Sequence, residues 1–256
     1  MAARLAAIGL RSDWDFIFHL PLRYEDETVV VPIDALSEGG ESQIEATVTA
    51  ADVVFRGRRQ LHVTVQDASG TLVLRFLHFY PSQLKQLALG QRIRAFGASR
   101  GGLAGMEMVH PRVRSVREGE ALPNALTPIY PTTAAVPQGW LRRRIARALR
   151  DVELRDLLPD SLRERFNLEP LRPALERLHP PPPAADAPAL AERTDPAWQR
   201  LNFDELVAQQ IALRLARAAR QKRSSPALRP DGLTGRLLAA LPFALTAAQR
   251  RVWAEI

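Results

Sequence analysis

The stretch 59-RQLHVTVQDASGTLVLRFLHFY-80 decides the fold, because apolar and polar residues alternate through both of its halves. A period of two indicates β-strands, and Asp67-Ala-Ser-Gly70 between the halves is typical of a turn. Alternation places Leu72, Leu74, Phe76 and His78 on one face of the second strand, and Val73, Arg75, Leu77 and Phe79 on the other. Since Leu72, Leu74 and Phe76 continue one apolar face, we expect Phe76 to lie in a core.

The same period extends over residues 43–116. It predicts strands at 43–55, 59–67, 71–80, 91–100 and 104–116, with a short helical piece, 82-SQLKQLALG-90, between the third and the fourth. This order is expected of a five-stranded OB-fold, a Greek-key β-barrel. Closing such a sheet removes its exposed edges, so a segment of this length can be stable as a unit.

Helical segments flank the predicted barrel, so the fold class is α+β. Residues 5–24 predict a helical hairpin turned at Gly9, and residues 123–140 predict a proline-rich extended strap. Helices are predicted at 137–150 and 160–178, a proline-rich linker at 179–196, a long helix at 198–223, and a last helix capped by Thr246. The predicted domains are a helical hairpin at 1–40, the barrel at 41–120, a helical connector with its linker at 121–196, and the long helix with the start of a further domain at 197–256.

The composition excludes several kinds of function. There is no cysteine, which rules out disulfides, Cys-ligated zinc, iron–sulfur clusters and thiol nucleophiles. The 5 histidines are scattered without metal-ligand spacing, and no GxSxG, HExxH or GxxxxGK[ST] motif occurs. We therefore predict no catalytic residue and no metal site. No run of about 18 apolar residues occurs, so we expect no membrane contact and a cytoplasmic location.

The charge balance favours a polyanionic partner. Lys and Arg number 35 against 28 Asp and Glu, which leaves a net charge of +7, and each neutralised phosphate of a nucleic acid releases counterions. A GC-rich genome would account for the excess of Arg over Lys. Between residues 41 and 116, ten cationic side chains stand against five anionic ones. OB barrels bind single strands through such a cationic groove and aromatic faces on which bases stack.

The candidate nucleic-acid contacts lie in the hairpin tip Arg56-Gly-Arg-Arg59, on the following strands, and in the aromatic run after Arg75. They are Arg56, Arg58, Arg59, Arg75, Phe76, His78, Phe79, Tyr80 and Arg100. Phe79 and Tyr80, at the strand end beside Pro81, either stack on bases or pack at the barrel rim.

Five segments in order along nearly the whole chain resemble the N-terminal half of RecG, the bacterial ATP-dependent DNA helicase family of stalled replication forks. They are 8-IGLRSDWDFIFHLPLRYED-26, 67-DASGTLVLRFLHFYPSQLKQLALGQRIRAFG-97, 105-GMEMVHPRV-113, 126-LTPIYPTT-133 and 241-LPFALTAAQ-249. The resemblance implies that the barrel is a wedge domain, which splits the arms of branched DNA at the junction. The family's stacking aromatics correspond to residues 76–80. One aromatic position falls on Leu77, so which of Phe76, Phe79 and Tyr80 stacks stays open.

The resemblance also implies a nucleotide contact. The segment 241-LPFALTAAQ-249 is similar to the adenine-sensing Q motif before the first motor domain, which would make Gln249 read adenine with support from Phe243. Taken alone, that glutamine would be an ordinary helix cap. The family's Walker A loop, DExx box and second motor domain would follow Ile256. ATP and Mg²⁺ are thus implied for a full-length relative, whereas this chain alone is expected to bind no cofactor well and to have no activity.

The function implied is branched-DNA recognition in replication fork regression, Holliday junction branch migration, recombination and repair. The implied partners are forks, Holliday junctions and single-stranded DNA, and the implied setting is a monomer at the bacterial nucleoid. Two alternatives stay open: a passive single-stranded-DNA-binding OB module without motor activity, and an OB protein-interaction scaffold whose charge reflects only the genome.

Overall fold

The computed structural model describes residues 1–55, 57–102, 105–222 and 232–255. The chain divides into two compact units, Met1–Glu205 and Leu206–Ile256. The finer division into four domains stays a prediction. Among the described residues, no helix is both long and apolar enough to cross a membrane.

A closed sheet forms the central part of the first unit. Its strands are β2 (Glu41–Phe55), β3 (Arg59–Gln66), β4 (Thr71–Phe76), β5 (Arg92–Gly102), β6 (Gly105–Val109) and β7 (Arg112–Ser115), preceded along the chain by β1 (Arg23–Glu25). Within the described ranges the order is β2-β3-β4-β6-β5-β7, and β2 also pairs with β5, which closes the sheet. Only the β4–β6 pair in this part of the chain is parallel. Helix α3 (Pro81–Gln86) lies between β4 and β5. The predicted mixed α+β fold with an OB-type barrel is confirmed.

Two strand predictions are wrong. The fifth predicted strand, 104–116, is two strands, because His110 has a φ of 51° and Pro111 has no N–H to donate to a ladder. The third predicted strand ends at Phe76 rather than at Tyr80. The Leu77 N–H donates to the side chain of His110, at 3.1 Å, instead of to a neighbouring strand. Residues 77–80 therefore do not continue the alternation of β4.

The barrel encloses a hydrophobic core built mainly from alternate residues of its strands, with Ile33 and Leu87 added from outside the strands. Phe76 is 2% exposed and belongs to this core, which confirms the sequence-based expectation. Burying each such side chain contributes about 1.5–3 kcal/mol relative to leaving it exposed. The core residues are Ile33, Ile44, Ala46, Val48, Leu61, Val63, Val65, Leu72, Leu74, Phe76, Leu87, Ile93, Ala95 and Met108.

The helices that precede the barrel in the chain and those that follow it form a second hydrophobic core within the first unit. Their bounds are α1 (Ala2–Ala6), α2 (Asp13–Ile17), α4 (Gln138–Asp151), α5 (Asp160–Phe166), α6 (Leu171–Leu178), α7 (Ala187–Ala191) and the beginning of α8 (Pro196–Gln221). Strand β1 pairs with β8 (Thr127–Ile129), which lies in the proline-rich strap. Phe16, Ile17, Leu141, Leu175 and Trp198 are among the buried residues that these elements share.

The two helices expected at the N-terminus are present on either side of Gly9, which has a φ of 84°, and Ser12 caps α2. Their packing as a hairpin stays a prediction. The single helix predicted at 160–178 is instead two, because Asn167 adopts a left-handed conformation at the end of α5 and Pro170 precedes α6. The predicted linker contains α7, whose first turn is capped by Asp186.

The second unit contains the remainder of α8, α9 (Gly232–Ala240) and α10 (Ala247–Glu255). Thr246 caps α10 as predicted, since the Gln249 N–H donates to its Oγ1 at 3.2 Å. The Thr246 N–H donates in turn to Gln249 Oε1 at 2.9 Å. These reciprocal bonds form a capping box.

Candidate nucleic-acid interface

The candidate site lies where strand β4 ends beside the β2–β3 hairpin. Leu61 of β3 pairs with Phe76, the last residue of β4, while Phe55 of β2 pairs with Arg59 further out along the hairpin. The hairpin therefore extends beyond the end of β4. Residues 77–80 continue from that end, and the side chains of His78 and Phe79 contact Arg58 and Arg59 of the hairpin. We call this region, residues 55, 57–59 and 77–80, the barrel end.

Two arginine contacts join the hairpin tip to the segment after β4. Arg58 Nη1 lies 3.4 Å from His78 Nε2, and the guanidinium carbon of Arg59 lies 5.8 Å from the centroid of the Phe79 ring. A cation at that distance is attracted by an aromatic face. Four of the predicted contact residues are thus brought together, whereas Arg56 lies outside the described residues.

The aromatic residues of the barrel end differ in exposure. Phe79 is half-buried and packs against the barrel core, while Tyr80 is 75% exposed. The Tyr80 N–H donates to Gln83 Oε1 at 2.8 Å, which ties the residue to the first turn of α3. Tyr80 therefore offers its ring to solvent, whereas Phe76 in the core offers none.

Sequence reasoning missed Phe55, which is 77% exposed at the end of β2. A ring exposed to this extent near Arg58 and Arg59 is available as a stacking face. A signal was present in the sequence, because Phe55 directly precedes the basic tip 56-RGRR-59.

Arg75 and Arg100 share one carboxylate. Arg75 Nη2 lies 3.4 Å from Glu107 Oε1, and Arg100 Nη2 lies 2.8 Å from the same oxygen. The parallel pairing of β4 with β6 and the antiparallel pairing of β6 with β5 bring the three side chains together. Glu107 holds both guanidinium groups in place and leaves the trio one positive charge.

His110 holds the chain that leads into Phe79 and Tyr80. Its Nε2 accepts the Leu77 N–H, which puts the ring proton on Nδ1. The ring stacks on His78 with centroids 6.3 Å apart and meets Phe76 edge-on at 6.0 Å. Burial, and then the nearby His78 and Arg58, lower the pKa of His110. A neutral His110 at this position directs residues 77–80 toward the hairpin tip.

The two residues that the resemblance assigns to adenine lie in the second unit. Phe243 is exposed, and Gln249 uses its Oε1 in the capping box of α10. Among the described residues no group of His, Cys, Asp and Glu could hold a metal ion.

Fold and site define a class: an OB-type barrel, flanked by helices, with a cationic and aromatic end suited to nucleic acid. The family profile described as RecG wedge domain matches residues 2–152. The chain belongs to the RecG wedge domain family.

Two curated relatives match the chain over its length. It is 38% identical over 262 residues to the ATP-dependent DNA helicase RecG of Escherichia coli strain K12, covering 100% of this chain and 38% of the relative. It is 36% identical over 261 residues to the RecG of Haemophilus influenzae, covering 99% of this chain and 37% of that protein. The chain therefore spans a little over a third of the length of these relatives.

A solved structure described as RecG bound to a three-way DNA junction has the same fold. It superimposes with a TM-score of 0.61 at 22% sequence identity, covering 98% of this chain and 34% of that one.

Proposed function

We propose that this chain is the DNA-docking part of a RecG helicase, which recognises branched DNA and splits its arms at the junction. The observation that carries the proposal is the barrel end, where the exposed rings of Phe55 and Tyr80 accompany Arg58 and Arg59. Membership of the wedge family, and the junction bound in the solved relative, support it. The relatives are bacterial, which supports a bacterial cytoplasmic setting; association with the nucleoid and a monomeric state stay proposals.

In this mechanism the arginines of the barrel end hold phosphates while an aromatic ring caps the last base pair or stacks on the first unpaired base. Opening a base step costs a few kcal/mol, which stacking and the stabilised branched geometry offset. Tyr80 and Phe55 are the best placed rings because both are mostly exposed. Arg75 and Arg100, held by Glu107, add a weaker cationic surface.

ATP and Mg²⁺ enter the proposal through the rest of the longer helicase. When bound, ATP supplies the free energy that moves duplex DNA against the wedge. Within this chain Phe243 and Gln249 would contact adenine, and the amide oxygen of Gln249 already accepts the Thr246 N–H. The amide NH₂ and the second lone pair of Oε1 are then the groups with which Gln249 would meet the base. The 256 residues contain no GxxxxGK[ST] phosphate loop, so we propose no ATP hydrolysis by the chain alone.

Titration of the full chain with a forked DNA, a single strand and a duplex of matched length tests the proposal. We expect the fork to bind most tightly, and we expect all binding to weaken as salt rises because phosphate contacts release counterions. Equal affinity for fork and single strand would favour the passive single-strand-binding module instead. Absent or salt-insensitive binding would contradict both DNA functions.

Tyr80→Ala and Phe55→Ala are each expected to weaken fork binding without changing the melting temperature. Loss of one base–aromatic stack is worth about 1–3 kcal/mol, or roughly 5- to 150-fold in Kd, while the exposure of both rings means that little packing is lost. Fluorescence anisotropy with a labelled fork measures the first effect and thermal unfolding the second.

The matched control is Trp14→Ala, which removes a partly exposed ring on α2 rather than at the barrel end. It should leave fork affinity unchanged. Phe79→Ala is a poorer test, because Phe79 packs against the core and its removal would lower stability as well. If Tyr80→Ala and Phe55→Ala bind the fork as tightly as the parent chain, neither ring stacks on DNA.

A further inference from the structure

Two adjoining cavities of the first unit share the side chain of Arg142 on α4. One, of about 360 Å³, lies between α4, α6 and the chain around β8, and Pro128, Ile145 and Leu149 form an apolar part of its lining. The other, of about 220 Å³, lies between α4 and the barrel strands β5 and β7. We call the two together the Arg142 groove. It is distinct from the barrel end, since none of the described residues of the barrel end lines either cavity.

The lining of the groove is strongly cationic. Six arginines and two glutamates contribute to it, namely Arg94, Arg112, Arg114, Arg142, Arg150 and Arg172 with Glu27 and Glu176. Several of these cations are already compensated inside the protein. Arg94 binds Glu45, Arg112 binds Glu25 and Glu27, and Arg114 binds Glu120.

Arg142 and Arg150 are different, because neither forms an ion pair with a carboxylate in the part of the chain that the structure describes. Arg142 is half-buried and donates one hydrogen bond to the Pro128 carbonyl, at 3.3 Å. Burial, and then the charge of Arg112, lower the pKa of Arg142. Glu27, Glu25 and Tyr130 act on it in the opposite direction. A half-buried cation that forms no ion pair is costly, so an anion in the groove would be stabilised.

We propose that the Arg142 groove binds a single DNA strand, with backbone phosphate on Arg142 and Arg150 and a base or sugar against the apolar lining. The proposal rests on the proposed function, because it assigns a second DNA contact to the same chain. The size of the groove selects the ligand. A concave site of a few hundred Å³ accepts groups the size of a nucleotide, whereas a duplex is too wide to enter it. The mixture of cations and apolar surface suits the two halves of a nucleotide.

Arg142→Gln is the decisive variant, because it keeps part of the side chain and its hydrogen-bonding capacity but removes the charge. Binding of a labelled oligothymidylate to the full chain would be measured over a series of salt concentrations. We expect roughly tenfold weaker binding, with the slope of log K against log salt reduced by about 0.7 for one lost phosphate contact. Arg150→Gln, at an exposed position, should do the same and guards against a folding defect in the first variant.

Arg147→Gln is the matched control. Arg147 lies on the same helix but pairs with Asp151 and lines neither cavity. If Arg142→Gln and Arg150→Gln show the parent's affinity and salt slope while the parent binds forks and single strands, the groove inference is wrong and the proposed function stands. If the parent binds no DNA, both are wrong. Combining Arg142→Gln with Tyr80→Ala should add the two losses, since separate contacts are additive.

Discussion

Replacing Arg200 by alanine is expected to lower the free energy of unfolding of the first unit by about 3–5 kcal/mol. The Arg200 side chain is only 1% exposed. Its two terminal nitrogens donate to the two oxygens of Asp156 at 2.8 and 2.7 Å, and Nη1 also donates to the Glu169 carbonyl at 2.7 Å. Its Nε bonds Asp204 at 3.2 Å. Removing the guanidinium would leave two carboxylates and a carbonyl without their shared donor.

The same contact lowers the pKa of Asp156, and the hydrogen bonds from Arg200 are the main cause. Arg200→Ala should therefore raise the pKa of Asp156. Urea unfolding followed by tryptophan fluorescence would measure the loss, since Trp198 is buried two residues away. Arg155→Ala is the control. Arg155 and Glu153 form a pair in which each side chain is 77% exposed, and such pairs contribute about 0–1 kcal/mol. Equal losses of unfolding free energy for Arg200→Ala and Arg155→Ala would show that the buried contacts of Arg200 do not stabilise the first unit.

The second large effect is a loss of stability in acid through His179. Its ring is buried and bridges two parts of the helical core: Nε2 donates to the Ile17 carbonyl at 2.8 Å, and Nδ1 accepts from the Tyr130 hydroxyl at 2.9 Å. The second bond requires the neutral ring, because a protonated Nδ1 has no lone pair with which to accept it. Burial lowers the pKa of His179 from 6.5 to about 4. Burial also raises the pKa of Tyr130, so this hydroxyl keeps its proton.

The sign follows from proton uptake. Between pH 6.5 and pH 4 the histidine of the unfolded chain takes up a proton while the folded ring stays neutral, so the unfolded state binds more protons. The contribution of His179 to the free energy of unfolding is therefore fully present above pH 6.5. It decreases as the pH is lowered through this window, by about 3 kcal/mol at pH 4.

Urea unfolding at a series of pH values would measure this effect. His179→Gln, which does not titrate, should flatten the dependence between pH 6.5 and pH 4 even though it costs stability at pH 7.5. An unchanged slope in His179→Gln would show that another group carries the acid sensitivity.

Alternation in the sequence predicted the position of Phe76 but not the positions of residues 77–80. Phe76 could be placed in the core because residues 71–76 form a strand, where alternation determines the facing of each side chain. Leu77 to Tyr80 could not be placed by alternation. Their direction depends on His110, which lies 33 positions away in sequence and accepts the Leu77 N–H. A tertiary hydrogen bond ends the strand where local pattern favours its continuation.

The arginines of the barrel and of α4 show the same division between what the sequence predicts and what the fold decides. The excess of arginine in the barrel was visible in the sequence, but its distribution among carboxylates was not. Glu107 meets Arg75 and Arg100 only because β6 lies between β4 and β5. Arg142 was visible only as one of several arginines on a predicted helix. Its place between two cavities depends on the packing of α4 against the barrel and α6.

The sequence by itself determined the α+β class, the OB-type barrel, the Phe76 core position and the family. Periodicity, turn residues and ordered motifs carry that information locally along the chain. Only the tertiary structure decided that Phe55 and Tyr80 are the exposed rings of the barrel end, that Glu107 binds two of the candidate arginines, and that Arg142 has no carboxylate partner among the described residues. The exposure of a side chain and its ion pairs depend on contacts between segments that are distant in sequence. Strand order and helix packing determine those contacts.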